Sequence, residues 1–282
     1  MQNPITKQRV VYEMPGTGDV VIRRDVEFRA SDGGVLAMDL YSPRDSRSGA
    51  RTPAVVIVAG FPDAGFRTRV GCRFKEMESS VSWARLLAAS GMVAITYTNR
   101  EPAEDLHALL HHVRVDAAAL GIDENRIGLW ASSGNVPLAL SVLMHGTSRY
   151  AKCAALCYGY MLDLEGATGV ADASRMFGFV NPNAGKSIED LPRDVALFVA
   201  RAGQDELPRL NETLDHFLAG ALACNLPVTF VNHADAPHAF DLFHDSETSR
   251  EIIRGLLAFL RFQLLGTPVA GAQPPERARN AR

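Results

Sequence analysis

Apolar and polar positions alternate strictly in two early segments. Val26, Phe28 and Ala30 recur at two-residue spacing, and so do Leu36, Met38 and Leu40. That is the strand period, because successive side chains of an extended chain point to opposite faces. Ser31-Asp32-Gly33-Gly34 between them is turn chemistry, so the pattern predicts an antiparallel hairpin.

After Pro53 the pattern changes. Short apolar runs replace the alternation: Ala54–Ala59, Met92–Tyr97, Arg126–Trp130, Cys153–Tyr158, Val195–Ala200 and Val228–Val231. Runs of this kind predict strands covered on both faces. Amphipathic stretches lie between them. Leu106, Leu109, Leu110, Val113, Ala117 and Leu120 follow i, i+3, i+4 spacing, with Pro102 near the start and Gly121 at the stop. Leu210, Leu214, Phe217, Leu218 and Leu222 form a second stripe. Ile252, Ile253, Leu256, Leu260 and Leu264 form a third, with Phe259 beside it. Strands alternating with helices imply right-handed crossovers and a mostly parallel twisted sheet. The hairpin adds antiparallel strands at one edge.

Two segments lack this rhythm. Residues 160–192 join two strands without clear periodicity, and such a long connection reads either as a short cap over a site or as a surface loop. In the first reading Met176, Phe177 and Phe179 line a pocket. From Gly266 the chain turns rich in Pro, Ala and Arg, the composition of a disordered tail. The expected organisation is one α/β domain over 1–265, with the tail at 266–282.

Composition narrows the function classes. The chain has 282 residues, 47% of them hydrophobic, with a net charge of -3, which describes a globular domain without a basic surface for nucleic acid. No apolar run approaches the ~18 residues of a membrane span, and the opening MQNPITKQRV has no apolar leader segment. A soluble, cytoplasmic protein is expected. Cys72, Cys153, Cys157 and Cys224 form no metal-binding spacing and read as small apolar residues. His111-His112 lies on a helix, where neighbours point apart, so joint metal binding is not expected. Neither GxGxxG nor GxxxxGK[ST] occurs. No cofactor is expected. The expected partner is a small-molecule substrate, with a homodimer left open.

The stretch from Arg126 to Leu140 carries the candidate chemistry. A strand ends near Trp130, an apolar helix begins by Val136, and Ala131-Ser132-Ser133-Gly134-Asn135 lies between. Read alone, this is also a Ser-rich helix cap. A serine needs a base, and the base needs an orienting carboxylate. Asp205 follows the strand at Val195–Ala200 inside a Gly-containing loop, with Asp163 and Glu206 as competitors. His238 follows the strand at Val228–Val231, with His233 as competitor.

The turn resembles the nucleophile elbow of the α/β-hydrolases, G-x-S-x-G, with Ala131 and Asn135 in the glycine positions. That match favours Ser133 over Ser132, which would place Trp130 in the crowded position two residues before the nucleophile. Asparagine is bulkier than the glycine it replaces and counts against the match. The resemblance covers roughly residues 20–265 and implies the α/β-hydrolase fold and a triad in the order Ser133, Asp205, His238. It also implies an oxyanion hole. One donor is the N–H of Gly134. The other is the N–H of Phe61, because Val55–Asp63 resembles the HG-x-P loop with Ala59 in place of His. The hairpin, Gly60-Phe61-Pro62 and His238-Ala239-Phe240 look most like the dienelactone-hydrolase-like and serine esterase branch. Dienelactone hydrolases use Cys as nucleophile, so their substrate is not carried over. The implied reaction is carboxylic ester hydrolysis, with thioester or small-amide hydrolysis using the same groups. A non-catalytic ligand-binding protein on this fold is the competing class. Arg67, Arg69, Arg73 and Lys75, offset by Asp63, Glu76 and Glu78, read as a solvated loop, with a carboxylate-binding role as the alternative.

Overall fold

A computed structural model of the chain describes residues 5–44, 51–144 and 151–266. Its frame is one eight-stranded sheet in the order β1-β2-β4-β3-β5-β6-β7-β8. The predicted hairpin is β1 (Val21–Arg29) and β2 (Val35–Ser42), antiparallel, with Phe28 opposite Leu36. β2 pairs antiparallel with β4 (Val93–Tyr97). From there the ladder is parallel through β3 (Thr52–Ile57), β5 (Ile122–Ser132), β6 (Cys153–Cys157), β7 (Ala196–Ala202) and β8 (Val228–His233). β3, β4 and β6 are buried along nearly their whole length, and β5 from Ile127 to Ala131, as unbroken apolar runs demand.

β8 departs from that expectation. Thr229, Phe230 and Asn232 are exposed on β8, which is an edge strand of the sheet.

Helices cover both faces of the sheet. α1 (Asp63–Val70) has no apolar stripe, so hydrophobic spacing does not reveal it; Gly71 ends it in the left-handed conformation. α2 (Glu78–Ala89) buries Trp83, Leu86 and Leu87. The stripe at Leu106–Leu120 is divided into α3 (Pro102–Val115) and α4 (Ala117–Leu120), with the break at Asp116. α5 (Val136–Met144) is buried on all sides. α6 (Gly169–Phe177) falls in the segment without clear periodicity. α7 (Leu210–Ala223), the single-turn α8 (Phe240–Phe243) and α9 (Glu247–Leu265) are the last helices among the described residues. α3, α5 and α7 pack into one core layer, and α2 and α9 into the other. Ile252, Ile253, Leu256, Leu257, Leu260 and Leu264 anchor α9. Each such side chain contributes roughly 1.5–3 kcal/mol on burial.

Gly266 caps α9, and the expected tail beyond it lies outside the described residues. Cys153 and Cys157 are buried in the sheet, while Cys72 and Cys224 are half-buried. Among the described residues, no helix is long and apolar enough to cross a membrane.

Candidate active site

β5 ends at Ser132 and a single 3-10 turn, Ser133–Asn135, leads into α5. Ser133 has φ of 55°, in the left-handed region. A non-glycine residue there is strained by roughly 1–3 kcal/mol and persists only where its surroundings impose it. The strain turns the side chain out of the strand line at the carboxyl end of the sheet.

Two distant residues meet it there. Ser133 Oγ lies 2.9 Å from His238 Nε2, and His238 Nδ1 lies 2.6 Å from Asp205 Oδ2. A carboxylate only accepts, so Nδ1–H donates to Asp205 and the Nε2 lone pair faces the hydroxyl. The Asp205 carboxylate is fully buried, whereas His238 keeps 27% of its side-chain surface. The other Asp205 oxygen accepts from the Leu207 amide at 3.0 Å, which fixes the carboxylate's rotation.

The loops carrying Asp205 and His238 are stitched together. Gly203 N–H donates to His233 C=O, and Gln204 N–H to Ala236 C=O, both at 2.8 Å. Asp205 reaches His238 because these two loops share backbone hydrogen bonds.

The competitors lie elsewhere. Asp163 accepts from the amides of Val170 at 2.8 Å and Ala171 at 2.9 Å, capping α6. Glu206 is exposed. His233 is buried, with Nε2 at 3.1 Å from Ser249 Oγ, and burial lowers its pKa. Among the described residues, the hydroxyl within hydrogen-bond distance of His238 Nε2 is that of Ser133, not Ser132.

The loop after β3 passes beside the elbow. The backbone of Ala59 and Gly60 is almost fully engaged. Ala59 N–H donates to Tyr97 OH at 3.1 Å, and Asn99 Nδ2 donates to Ala59 C=O at 3.1 Å. Gly60 N–H donates to Asn135 Oδ1 at 2.8 Å, and Gly60 C=O accepts from Val180 N–H at 2.9 Å. Among the described residues, neither the Phe61 nor the Gly134 amide has a protein acceptor. A Cβ on Gly134 would stand 2.6 Å from the Phe179 ring, so the residue after Ser133 has room only for hydrogen.

Ser133 and His238 open into a cavity of about 180 Å³. Phe61, Phe66, Phe74, Met77, Trp83 and Trp130 supply most of its apolar wall. Tyr158 and Asp241 are among its polar lining residues. Tyr158 OH donates to Asp241 Oδ1 at 2.5 Å, and Trp83 Nε1 to Asp241 Oδ2 at 2.7 Å. Burial raises the pKa of both Asp241 and Tyr158. The Tyr158 ring meets the His238 ring edge to face, with centroids 5.1 Å apart.

Two sequence expectations are corrected here. Met176, Phe177 and Phe179 do not line this cavity. Phe179 is buried against Gly134, Phe61 and Tyr160, while Met176 is exposed. The basic cluster does not line it either. Lys75 is not solvated: it is 5% exposed and lies 2.8 Å from both Asp39 and Asp25. Arg69 donates to Phe177 C=O, which ties α1 to the end of α6. Sequence reading also passed over Asn99, Tyr158 and Asp241, each joined to the site by contacts between distant segments that no local pattern signals.

No protein-family model and no curated protein matches the sequence. Solved structures do. A thermophilic esterase from the Planctomycetes species Thermogutta terrifontis is similar over 92% of this chain and 97% of its own, at 20% identity and a TM-score of 0.65. A thermostable carboxylesterase cloned from a metagenomic library is similar over 90% and 92%, at 20% identity and 0.66. An α/β-hydrolase enzyme from the metagenome of Lake Arreo, Spain, is similar over 94% and 86%, at 18% identity and 0.67. With its mostly parallel eight-stranded sheet, its helices on both faces and its antiparallel hairpin at one edge, this chain has the α/β-hydrolase fold.

Proposed function

We propose that the chain is a serine carboxylesterase acting on a small-molecule ester through an acyl-enzyme. The hydrogen-bonded line from Ser133 Oγ through His238 to buried Asp205 carries this reading. The similarity of the fold to solved esterases supports it. The placing within a dienelactone-hydrolase-like branch rests on the sequence resemblance alone.

His238 Nε2 takes the Ser133 proton as Oγ attacks the ester carbonyl carbon. The carbonyl oxygen becomes an oxyanion, held by the N–H groups of Phe61 and Gly134. The carbon–oxygen bond to the alcohol then breaks, and His238 returns the proton to the departing alkoxide. A water molecule repeats the sequence on the acyl-enzyme and releases the acid and Ser133. Asp205 holds the imidazole in the Nδ1–H form and stabilises the imidazolium in between. The cavity of about 180 Å³ suits a compact acyl or alcohol group. It is slightly larger than a cavity of roughly 150 Å³ known to hold benzene.

The test is hydrolysis of p-nitrophenyl acetate, with Ser133→Ala as control. The wild type is expected to release nitrophenol, with a loss of at least ~10³-fold in the variant. A fluorophosphonate probe should label the peptide containing Ser133. Equal rates for both proteins, or a label elsewhere, would refute the assignment.

A further inference from the structure

We infer that Asn135 and Asn99 are positioning residues that together fix the direction of the Phe61 oxyanion donor, an inference that rests on the esterase reading above. The two side chains grip opposite ends of one peptide group. Asn99 Nδ2 donates to Ala59 C=O at 3.1 Å, and Asn135 Oδ1 accepts from Gly60 N–H at 2.8 Å. Those two atoms belong to the single planar unit linking Ala59 to Gly60. Both asparagines are buried, at 2% exposure for Asn99 and 3% for Asn135.

Each clamp is itself anchored. Asn135 Nδ2 donates to Ser132 C=O at 3.0 Å, so this side chain bridges the elbow and the loop after β3. Asn99 is locked to Asp63 by reciprocal bonds, its N–H to Asp63 Oδ2 and its Oδ1 from Asp63 N–H, both at 3.1 Å. The next peptide group, Gly60 to Phe61, then has a defined plane. Its C=O points to Val180 N–H at 2.9 Å. In a trans peptide the following N–H points the opposite way, and among the described residues no peptide bond is cis. With the Ala59–Gly60 unit held at both ends and the Gly60 carbonyl engaged, the direction of Phe61 N–H is fixed.

Close contact makes the arrangement tight. A Cβ on Gly60 would stand 2.9 Å from Gly134 C=O and 3.1 Å from Asn135 Cα, so the loop packs directly on the elbow that supplies the Gly134 donor. The separation between the two proposed donors is therefore set across the Asn135 bridge. The elbow resemblance asks for a glycine at 135. Here the asparagine side chain does work that a glycine could not, because it supplies both an acceptor and a donor.

A preorganised donor acts on the transition state, where the oxygen carries charge, and little on the bound ester. Removing either clamp should therefore lower kcat and leave KM nearly unchanged. Asn135→Ala and Asn99→Ala are each expected to lower kcat for p-nitrophenyl acetate by about 10- to 100-fold, with KM within about twofold. Phenylboronic acid, whose boron accepts Ser133 Oγ to form a tetrahedral adduct with an oxygen in the same hole, should bind more weakly by a similar factor. The double variant should lose less than the product of the single losses, because both clamps hold one peptide group.

Values of kcat and boronic acid affinity within about twofold of wild type in either single variant would overturn the inference. So would a fall in kcat with unchanged boronic acid affinity, which would mean that the oxyanion donors are undisturbed. If the variants do not fold, the wild type decides. Phenylboronic acid should shift the Phe61 and Gly134 amide proton resonances and leave that of Gly60 in place. A shift of Gly60 without Phe61 would overturn the inference. A wild type that neither hydrolyses the ester nor reacts with a fluorophosphonate removes the esterase reading and this inference together. An active wild type with unaffected variants removes this inference alone.

Discussion

Gly203 lies so close to Ala234 that a Cβ on the glycine would stand 2.2 Å from the Ala234 carbonyl oxygen. That approach brings the loop after β7, which carries Asp205, against the loop after β8, which carries His238. Gly203→Ala cannot be absorbed by a side-chain movement, since the obstacle is backbone. The two loops must part, and the 2.6 Å bond from His238 to Asp205 parts with them. We expect a stability loss of about 1–3 kcal/mol, typical of overpacking, together with a fall in kcat of at least ~10²-fold. Urea unfolding and esterase kinetics on the same preparation check both. Full activity in Gly203→Ala would show that the loop contact does not set the geometry.

The two candidate acids separate by experiment. Asp205→Asn keeps the size of the side chain but lets the imidazole settle in the wrong tautomer, and a loss of about 10³- to 10⁴-fold in kcat is expected. Asp163→Ala removes the cap that accepts from Val170 and Ala171. Its expected cost is about 1 kcal/mol of stability, with kcat unchanged. Reversal of these outcomes would exchange the two roles.

Asp241 holds two buried donors, Trp83 Nε1 and Tyr158 OH. Asp241→Ala leaves both without an acceptor, and each such loss typically costs about 1–3 kcal/mol. A total on the order of 2–5 kcal/mol is expected from chemical denaturation. Because Tyr158 packs edge-on against His238, activity should fall as well. A variant as stable as the wild type would mean that the cavity wall repacks around the gap.

The pH dependence of stability should include a contribution from His233. Burial, followed by the charge of His244, lowers its pKa below the ordinary histidine value of about 6.5. In the folded state it therefore holds fewer protons than in the unfolded state as pH falls through about 6.5. Stability rises with pH wherever the unfolded state binds more protons, so the protein should weaken from about pH 6.5 downward until the lowered folded pKa is passed. Melting temperatures measured between about pH 5 and 7.5 should fall more steeply with acid in the wild type than in His233→Gln. Parallel curves would exclude this contribution.

Much of the frame was legible along the chain. The two-residue alternation at Val26–Ala30 and Leu36–Leu40 specifies the hairpin whatever surrounds it, because a one-residue slip would turn both apolar rows outward. The runs at Ala54–Ala59 and Cys153–Tyr158 are short and apolar, as strands covered on both faces are, and the stripe from Ile252 to Leu264 marks one face of a helix for burial. The short motif at 131–135 pointed to Ser133 because an elbow restricts its immediate neighbours. α1 was not legible, since it has no apolar face to mark it, and α6 lies in the segment without clear periodicity. β8 was read as covered because its apolar run does not show that no element lies beyond it.

What the sequence determined by itself was the hairpin, the apolar strands and the striped helices, and the order in which they follow, since these depend on periods of two and of about 3.6 residues within short stretches. Tertiary structure alone decided that Asp205 rather than Asp163 faces His238, that Lys75 is buried between two carboxylates, and that Asn135 is a bridge where its bulk had counted against the motif. Each of these is settled by atoms from remote parts of the chain brought within about 3 Å, the reach of a hydrogen bond. Contacts over that range leave no periodic trace along the polymer.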